Sequence, residues 1–265
     1  MGGALGNKIA APKLYAPEVL EAIPRSAGRQ ALDGIAPPMC GYDCWHLYEL
    51  SWLNPKKHPQ HGVGVLVIDS DSPATIESKS LKLYLNSLNF HCFESEAEAN
   101  DVICTDIAHV TGSKVSLVML PPSGLAPITR EPDGVLLESY VQGDVTLPGE
   151  PWCDLSGAIS DSTYVSHRLR SLCPVTSQPD WGTIVIDYRG RPINQRQLLT
   201  YIESFREHQE FHEQCVERCF YKLMQETGPE SLTVSAYYQR RGGIDITPVR
   251  SSYAVAPEYW RTGRQ

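Results

Sequence analysis

The chain has 265 residues, a formal net charge of −8 and 42% hydrophobic residues. This composition is typical of a folded globular protein with one large or two small domains, and it excludes a disordered chain. The excess of acidic residues also excludes the broad basic face of nucleic-acid binders, so we expect no direct nucleic-acid partner.

The longest strongly apolar run, Val63 to Ile68, is far shorter than the ~20 residues that a membrane-spanning helix needs. We therefore expect no membrane association. The first fifteen residues, MGGALGNKIAAPKLY, lack the charged start and apolar stretch of a secretory leader, which favours a cytoplasmic location. The 8 cysteines are too sparse for a disulfide scaffold, so in a reducing compartment most should be free thiols.

The first half of the chain alternates strand and helix patterns. The first forty residues, rich in Ala, Gly and Pro, predict an irregular lead-in with one short helix near Pro17 to Ile23. After it we predict strands at Tyr42 to Trp52, around Val63 to Ile68 and at Lys114 to Leu120, where Pro121-Pro122 ends the last one. Apolar residues at helical spacing predict two successive helices before that last strand, one at Leu81, Leu85 and Leu88, the other at Ile103 and Ile107.

The second half repeats this order. Val67-Ile68-Asp69 matches Val185-Ile186-Asp187, 118 positions later, and Tyr84 to Leu88 matches Tyr201 to Phe205, 117 positions later. The pattern predicts a duplicated ββααββ element, with Thr146 to Ser171 connecting the copies. We expect an α+β fold of antiparallel sheets with helices packed on one face, in two domains at residues 1–150 and 151–265.

The loop Cys173 to Gly182, CPVTSQPDWG, is the first candidate for chemistry. A thiol is a good nucleophile at neutral pH, and a nearby carboxylate can supply or accept its proton. If the loop were extended, Cys173 and Asp180 would lie ~23 Å apart, so they can act together only if the loop doubles back. The alternative is a structural cysteine with a turn aspartate.

The helix that begins near Phe211 is the second candidate. His212, Cys215 and Cys219 share one face of it, so a zinc site is possible, although small thiols at this spacing more often fill a core. Glu213 either faces water or enters a pocket to accept hydrogen bonds from ring N–H groups.

Two further stretches carry charges that suit an anion. Glu77 lies near the start of the first predicted helix, followed by Lys79 and Lys82 three positions apart, and lysines at this spacing can hold a phosphate together. Near the C-terminus, Arg240 and Arg241 precede Gly242-Gly243, a turn at which guanidinium and backbone N–H groups can approach a phosphate together. Each stretch alone is also compatible with ordinary charged residues on a solvated surface.

Taken together, these stretches resemble the NADPH-dependent 7-cyano-7-deazaguanine reductases of the queuosine tRNA-modification pathway. The resemblance rests on Glu77-Ser78-Lys79-Ser80-Leu81-Lys82, the Cys173 to Trp181 loop, Phe211-His212-Glu213 and Arg240 to Gly243, and it spans Tyr42 to Arg250. It implies tandem tunnelling-fold elements and a four-electron reduction of a nitrile to a primary amine with NADPH as cofactor. The resemblance implies that no metal ion takes part.

The resemblance also implies a role for single residues. Cys173 would add to the nitrile carbon as a covalent thioimide, and Asp180 would supply the proton. The remaining residues would bind substrate (Ile76, Glu77, Ser78, His212 and Glu213) or NADPH (Ser78, Lys79, Arg241 and Gly242).

The partner implied by the resemblance is a small deazaguanine, and we expect a homodimer. The two groups of residues lie in different copies, which predicts a pocket between copies, within one chain or across the dimer. The first copy has His58 and His61 but no cysteine where the loop would recur, so we expect one active site per chain. Cys215 lies near the implied pocket and raises the hypothesis of a reversible disulfide with Cys173, detectable as a crosslinked peptide after peroxide treatment.

Two alternatives remain open at this stage. One is a zinc-dependent pterin or purine hydrolase on the same fold that uses His212, Cys215 and Cys219 as ligands. The other is a purine-binding module without catalysis.

Overall fold

The computed structural model describes residues 11–30, 32, 39–120, 129–139 and 150–265. The chain divides into two compact units. Unit 1 comprises Met1–Ala27, Tyr42–Ile128 and Arg240–Ile246, and unit 2 comprises Gly28–Gly41, Thr129–Gln239 and Thr247–Gln265. The predicted boundary at residue 150 stays a prediction, since 140–149 lie outside the described residues, as do the first ten residues and Pro121-Pro122.

One sheet of unit 1 contains β2 (Cys40–Leu53, whose first two residues belong to unit 2), β3 (Pro59–Asp69) and β5 (Val115–Leu120). It is antiparallel, with the order β5-β3-β2. The helices of unit 1 are α2 (Ser78–Ser87) and α3 (Glu96–Thr111). A separate two-stranded sheet pairs β1 (Ala22–Pro24) with β4 (Ala74–Ile76). These positions confirm the predicted strands and helices of the first half.

The lead-in differs from its prediction. Of the stretch predicted as a helix, only Pro17–Val19 is helical, and it forms a single 3-10 turn. Strand β1 is then followed by a separate five-residue helix, α1 (Arg25–Arg29). The predicted helix up to Ile23 is wrong because the backbone there pairs with β4, where Ile23 lies opposite Thr75. Residues that form ladder hydrogen bonds cannot also continue a helix.

Unit 2 has the strand order β10-β9-β8-β7-β6. Its elements are β6 (Val135–Leu136), β7 (Ser160–Leu172), β8 (Pro179–Gly190), α4 (Gln195–Ser204), α5 (His212–Thr227), β9 (Ser231–Tyr238) and β10 (Ile244–Ser251), whose first three residues belong to unit 1. All pairs are antiparallel except the short β6–β7 pair. The α+β class with antiparallel sheets is thereby confirmed.

Strand β7 corrects one expectation. All but the last residue of Ser160–Leu172 lies within the segment that we expected to connect the copies, yet it is a thirteen-residue strand paired with β8. Its sequence, SDSTYVSHRLRSL, carries many polar residues because one of its sides is partly exposed, which hid the strand pattern.

The internal repeat extends to details of the backbone. Helices α2 and α4 both have 10 residues and α3 and α5 both have 16. The last two end at glycines in the left-handed conformation, Gly112 and Gly228. The β2–β3 ladder has a register shift between Leu47 and Leu50, and the β7–β8 ladder has one between Ser166 and Leu169. Shared lengths, caps and irregularities agree with the predicted duplication.

Each unit has its own hydrophobic core between its sheet and its helices. In unit 2 the even-numbered residues of β8 and β9, such as Ile184 and Val234, face α4 and α5, because side chains alternate along a strand. Asp180 and Tyr238 share this parity and therefore lie on the same face as the core. Within the described ranges, no helix is long and apolar enough to cross a membrane.

A buried ion cluster ties α5 to two other segments of unit 2. Glu217 accepts hydrogen bonds from Arg29 at 2.8 Å and 3.0 Å and from Arg250 at 3.0 Å. Glu217 and Arg250 are almost wholly buried, whereas Arg29 is partly exposed. Because a buried guanidinium is costly without its counter-charge, Glu217 is the residue on which this cluster depends.

We expect Glu217→Ala to lower the free energy of unfolding by about 3 kcal/mol or more, because it removes the buried carboxylate that accepts hydrogen bonds from Arg250. The control is Glu230→Ala, which breaks an exposed pair with Arg189 and should cost less than about 1 kcal/mol. Urea denaturation of the two variants makes the comparison, and similar losses in both would contradict it.

Candidate active site

The β7–β8 hairpin places Cys173 and Asp180 on one side of the sheet. Ser171 lies opposite Asp180, and the Cys173 N–H donates to the Gln178 carbonyl at 2.9 Å, so the loop doubles back. The Ser177 N–H also donates to the Cys173 carbonyl at 2.9 Å, and Ser177 adopts a positive φ of 55°. By strand geometry Cys173 and Asp180 are diagonal neighbours, about 7–8 Å apart.

The start of α5 is tied to the same hairpin. The Leu172 N–H donates to the His208 carbonyl at 2.8 Å, and Gln209 donates from its side chain to Ser177 at 2.8 Å. The segment that leads into α5 therefore runs alongside the end of β7. These bonds fix where the first turn of α5, with His212 and Glu213, lies relative to the Cys173 loop.

The structure brings His212 and Asp180 together. His212 Nε2 lies 3.3 Å from Asp180 Oδ2, and the two side chains are 15% and 6% exposed. The imidazole stacks on the ring of Tyr238 with 3.8 Å between centroids and 16° between planes. A carboxylate and an imidazole in contact, on the sheet face that carries the thiol, form an arrangement that can move a proton.

Glu213 and the cysteines of this region differ in exposure. Glu213 is 4% exposed in the first turn of α5, where the helix dipole favours a carboxylate. Cys173 is half-buried, whereas Cys215 and Cys219 are buried, and burial raises the pKa of both thiols to about 12. All three cysteines are free thiols. The Cys173–Cys215 disulfide stays a hypothesis.

The zinc alternative fits this geometry poorly. Among the described residues, no three His, Cys, Asp or Glu side chains are grouped so that they could hold a metal ion. A thiol ligand must also lose its proton, which the raised pKa values of Cys215 and Cys219 oppose. Both side chains instead belong to the hydrophobic core of unit 2.

In unit 1, Glu77 caps α2. Its carboxylate accepts hydrogen bonds from the backbone N–H groups of Lys79 at 3.0 Å and Ser80 at 2.7 Å. Ile76 and Glu77 are buried, whereas Ser78 and Lys79 are exposed. The sequence run that the resemblance singled out is thus the N-terminus of a helix, with a buried cap and an exposed cation beside it.

The glycine turn of unit 1 borders a cavity of about 300 Å³. Gly242 and Gly243 have positive φ values of 58° and 81°, and a Cβ on Gly243 would lie 2.4 Å from Glu49. Lys82 donates from Nζ to the Gly242 carbonyl at 2.5 Å and to Glu49 at 2.9 Å. Arg240 lies over the ring of Tyr48, 4.5 Å from its centroid. Glycines and cations combined at a turn suit a phosphate-bearing ligand.

Because the two units repeat each other, each candidate residue of unit 2 can be matched to a residue of unit 1. By ladder register, Asn54 occupies the position of Cys173, and Gln60 occupies that of Asp180. By helix start, Glu96 and Ala97 occupy the positions of His212 and Glu213. Unit 1 therefore has none of the four side chains, in agreement with the expectation of one active site per chain.

The predicted site residues fall into two sets. Unit 2 contains Cys173, Asp180, His212 and Glu213, and unit 1 contains Ile76, Glu77, Ser78, Lys79, Arg241 and Gly242. Sequence reasoning did not identify Tyr238, which stacks on His212. The alternation along β9 indicates its position, because Tyr238 is an even-numbered residue like the core-facing Val234.

The exposure of the thiols gives a chemical test. At pH 8 we expect iodoacetamide to label Cys173 well before Cys215 and Cys219, because the thiolate is the reactive form and burial keeps the latter two protonated. Peptide mass spectrometry over time measures the order, with exposed Cys40 as a control for accessibility. Early labelling of Cys215 in folded protein would contradict the burial described.

Comparison with known proteins identifies the family of the chain. Residues 12–119 match the family model "Nitrile reductase, 7-cyano-7-deazaguanine-reductase N-term", and residues 179–256 match that of "QueF-like protein". NADPH-dependent 7-cyano-7-deazaguanine reductases from Xanthomonas campestris pv. campestris strains B100 and 8004 are each 44% identical over 257 residues, which cover 94% of this chain and 92% of theirs.

A solved structure, the archaeosine synthase QueF-Like in the apo form, is 17% identical with a TM-score of 0.33, covering 38% of this chain and 99% of that one. This likeness is too weak to bear on the fold. The two family models and the nearly full-length relatives lead to one assignment: the chain belongs to the family of NADPH-dependent 7-cyano-7-deazaguanine reductases.

Proposed function

We propose that this protein is an NADPH-dependent oxidoreductase that reduces the nitrile of 7-cyano-7-deazaguanine to a primary amine. The observation that carries the proposal is the contact of Asp180 with His212 at 3.3 Å, on the sheet face that also carries Cys173. This arrangement supplies a nucleophile and a proton carrier at one end of unit 2. The names of the relatives supply the substrate and the cofactor.

Cys173 is the proposed nucleophile. A nitrile carbon is a poor hydride acceptor, but addition of the Cys173 sulfur, with a proton delivered to the nitrogen, converts the C≡N bond into the C=N bond of a thioimide. The half-buried hairpin position suits this step, because the thiol is accessible yet held by the backbone bonds of its loop. Covalent attachment also retains the substrate while the cofactor is exchanged.

Asp180 is the proposed proton donor. The first reduction gives a hemithioaminal, which expels the thiolate and leaves an imine, and the second gives the amine. Each C=N nitrogen needs a proton as the carbon accepts hydride. A carboxyl group in contact with an imidazole can deliver this proton and then receive another one from the imidazole. The low exposure of Asp180 limits competition from bulk water.

Glu213 and His212 are the proposed substrate-binding residues of unit 2. A buried carboxylate in the first turn of α5 can accept hydrogen bonds from the N–H and amino groups of a deazaguanine edge. An analogue without these donors would lose these hydrogen bonds to a buried carboxylate, which discriminates strongly against it. Ile76, Glu77 and Ser78 stay predicted substrate contacts.

The residues of unit 1 fit the phosphates of NADPH. Two exposed cations are available, Lys79 and Arg241. At the Gly242-Gly243 turn, no Cβ keeps a phosphate away from the backbone. NADPH, when bound, supplies the hydride. We infer that Ser78, Lys79, Arg241 and Gly242 hold and orient it.

We also infer the wider setting of the enzyme. The repeat of lengths, caps and register shifts supports a tandem tunnelling fold, and the proposed product places the enzyme in queuosine biosynthesis. A homodimer in the cytoplasm, without direct nucleic-acid contact, completes the proposal.

The central test is mixing the protein with 7-cyano-7-deazaguanine and NADPH. We expect the NADPH absorbance to fall and the amine to form, with two NADPH consumed per amine. Without NADPH, intact mass should show an adduct of the nitrile in the native protein and in Asp180→Asn, whose turnover should fall by about 10²-fold or more. Cys173→Ala should show no adduct.

Three results would contradict the proposal. Unchanged NADPH absorbance with tight binding of the deazaguanine would favour a binding module without catalysis. An adduct that survives Cys173→Ala would place the nucleophile elsewhere. Activity lost to a chelator and restored by zinc would favour the hydrolase alternative.

The cofactor residues make a separate prediction. We expect Lys79→Ala and Arg241→Ala each to raise the KM for NADPH by about tenfold, because each removes one charge that faces a phosphate. The KM for the nitrile and the yield of adduct without NADPH should hardly change. Steady-state kinetics with Arg264→Ala as the surface control measures this, and an unchanged KM in both variants would remove them from the cofactor site.

A further inference from the structure

Tyr238 makes the closest ring contact of His212, and its own position is tightly fixed. It is the last residue of β9 and pairs with Gly182 of β8. A Cβ at position 182 would lie 3.3 Å from a carbon of the Tyr238 ring, so the glycine leaves the space that the ring fills. The next residue, Gln239, donates its N–H to the Trp181 carbonyl at 2.9 Å. The ring is therefore placed by backbone pairing.

The hydroxyl of Tyr238 lies beside Cys215 and Ser171. Tyr238 itself is 1% exposed. Burial raises the pKa of this phenol well above its ordinary value, so the group stays neutral. The ring rather than the hydroxyl makes the contact of interest.

Two contacts restrain the imidazole of His212 from different directions. Tyr238 lies parallel to it, with 3.8 Å between centroids, and Asp180 lies at its edge, 3.3 Å from Nε2. A side chain held on a face and at an edge keeps one ring orientation. Proton transfer depends steeply on such orientation, and a misplacement of ~1 Å can cost about 10²-fold in rate.

We propose that Tyr238 is a positioning residue, whose ring holds the His212 imidazole in the orientation in which Nε2 faces Asp180. The proposal rests on the proposed function, since it assigns the stack to the proton step of that reaction. It goes beyond that function by adding a residue that acts through its contact with His212.

The neighbouring tyrosine provides a matched control. Tyr237 is also buried, at 6% exposure, but it points to the opposite face of the strand and packs against Trp260 at 4.4 Å between centroids. Removing either ring takes a buried aromatic side chain from the end of β9. Only the change at position 238 should affect His212.

The experiment compares Tyr238→Leu, Tyr238→Phe and Tyr237→Leu by two readouts. The first is NMR of protein with carbon-13-labelled histidine, in which His212→Gln identifies the His212 signal. A ring stacked at this distance shifts that signal upfield, independently of any activity. The second readout is steady-state kinetics with the nitrile and NADPH.

We expect Tyr238→Leu to lose the upfield shift and to lower kcat by about 10- to 100-fold, while the KM for NADPH stays within about twofold. Tyr238→Phe, which keeps the ring, should restore both the shift and most of kcat. Tyr237→Leu should keep the shift and turn over faster than Tyr238→Leu by about tenfold or more.

Several outcomes would overturn the proposal. They are a wild-type kcat in folded Tyr238→Leu, an equal loss of kcat in Tyr238→Phe, and an equal loss in Tyr237→Leu. If Tyr238→Leu shows no cooperative thermal transition, Tyr238→Met takes its place under the same criteria. A wild-type protein that shows the upfield shift but consumes no NADPH would overturn the proposed function and leave the stack intact.

Discussion

The antiparallel pairing of β7 with β8 is the constraint on which the candidate site depends. Because Ser171 lies opposite Asp180, the thiol of Cys173 and the carboxylate of Asp180 share one side of the sheet. A register slip of one residue would send one of the two to the opposite face. The bonds from the loop to the segment before α5 then fix His212 relative to both. The arrangement of the candidate residues thus follows from a hairpin register that backbone hydrogen bonds determine.

The surrounding structure keeps charges buried only where they have partners. Glu217, Arg250 and Arg29 form an ion cluster, which serves the packing of α5. Asp180 and His212 form a smaller pair that remains partly accessible. The cluster joins Glu217 to guanidinium groups, which do not give up a proton, whereas the pair joins a carboxyl group and an imidazole, which can exchange one.

The sequence could predict the elements that are strongly apolar, and it was weaker where the pattern is mixed. The run at Val63 to Ile68 and its repeat are buried strands, so their composition identified them. Strand β7 was missed because polar residues interrupt its apolar positions. The candidate residues could be named from motifs, but Tyr238 could not, because its stack on His212 depends on pairing with Gly182, which only the folded register shows.

The turn of the first hairpin shows how the two copies have diverged. Asn54 bonds to His58 across four positions, whereas Cys173 bonds to Gln178 across five, so the second turn carries one additional residue. In the first hairpin, the Asn54 side chain accepts backbone N–H groups of its own loop, and the Gln60 amide donates to carbonyls beside it. The first loop is therefore held by the polar side chains of its own hairpin, whereas the longer second loop places a thiol at the corresponding position.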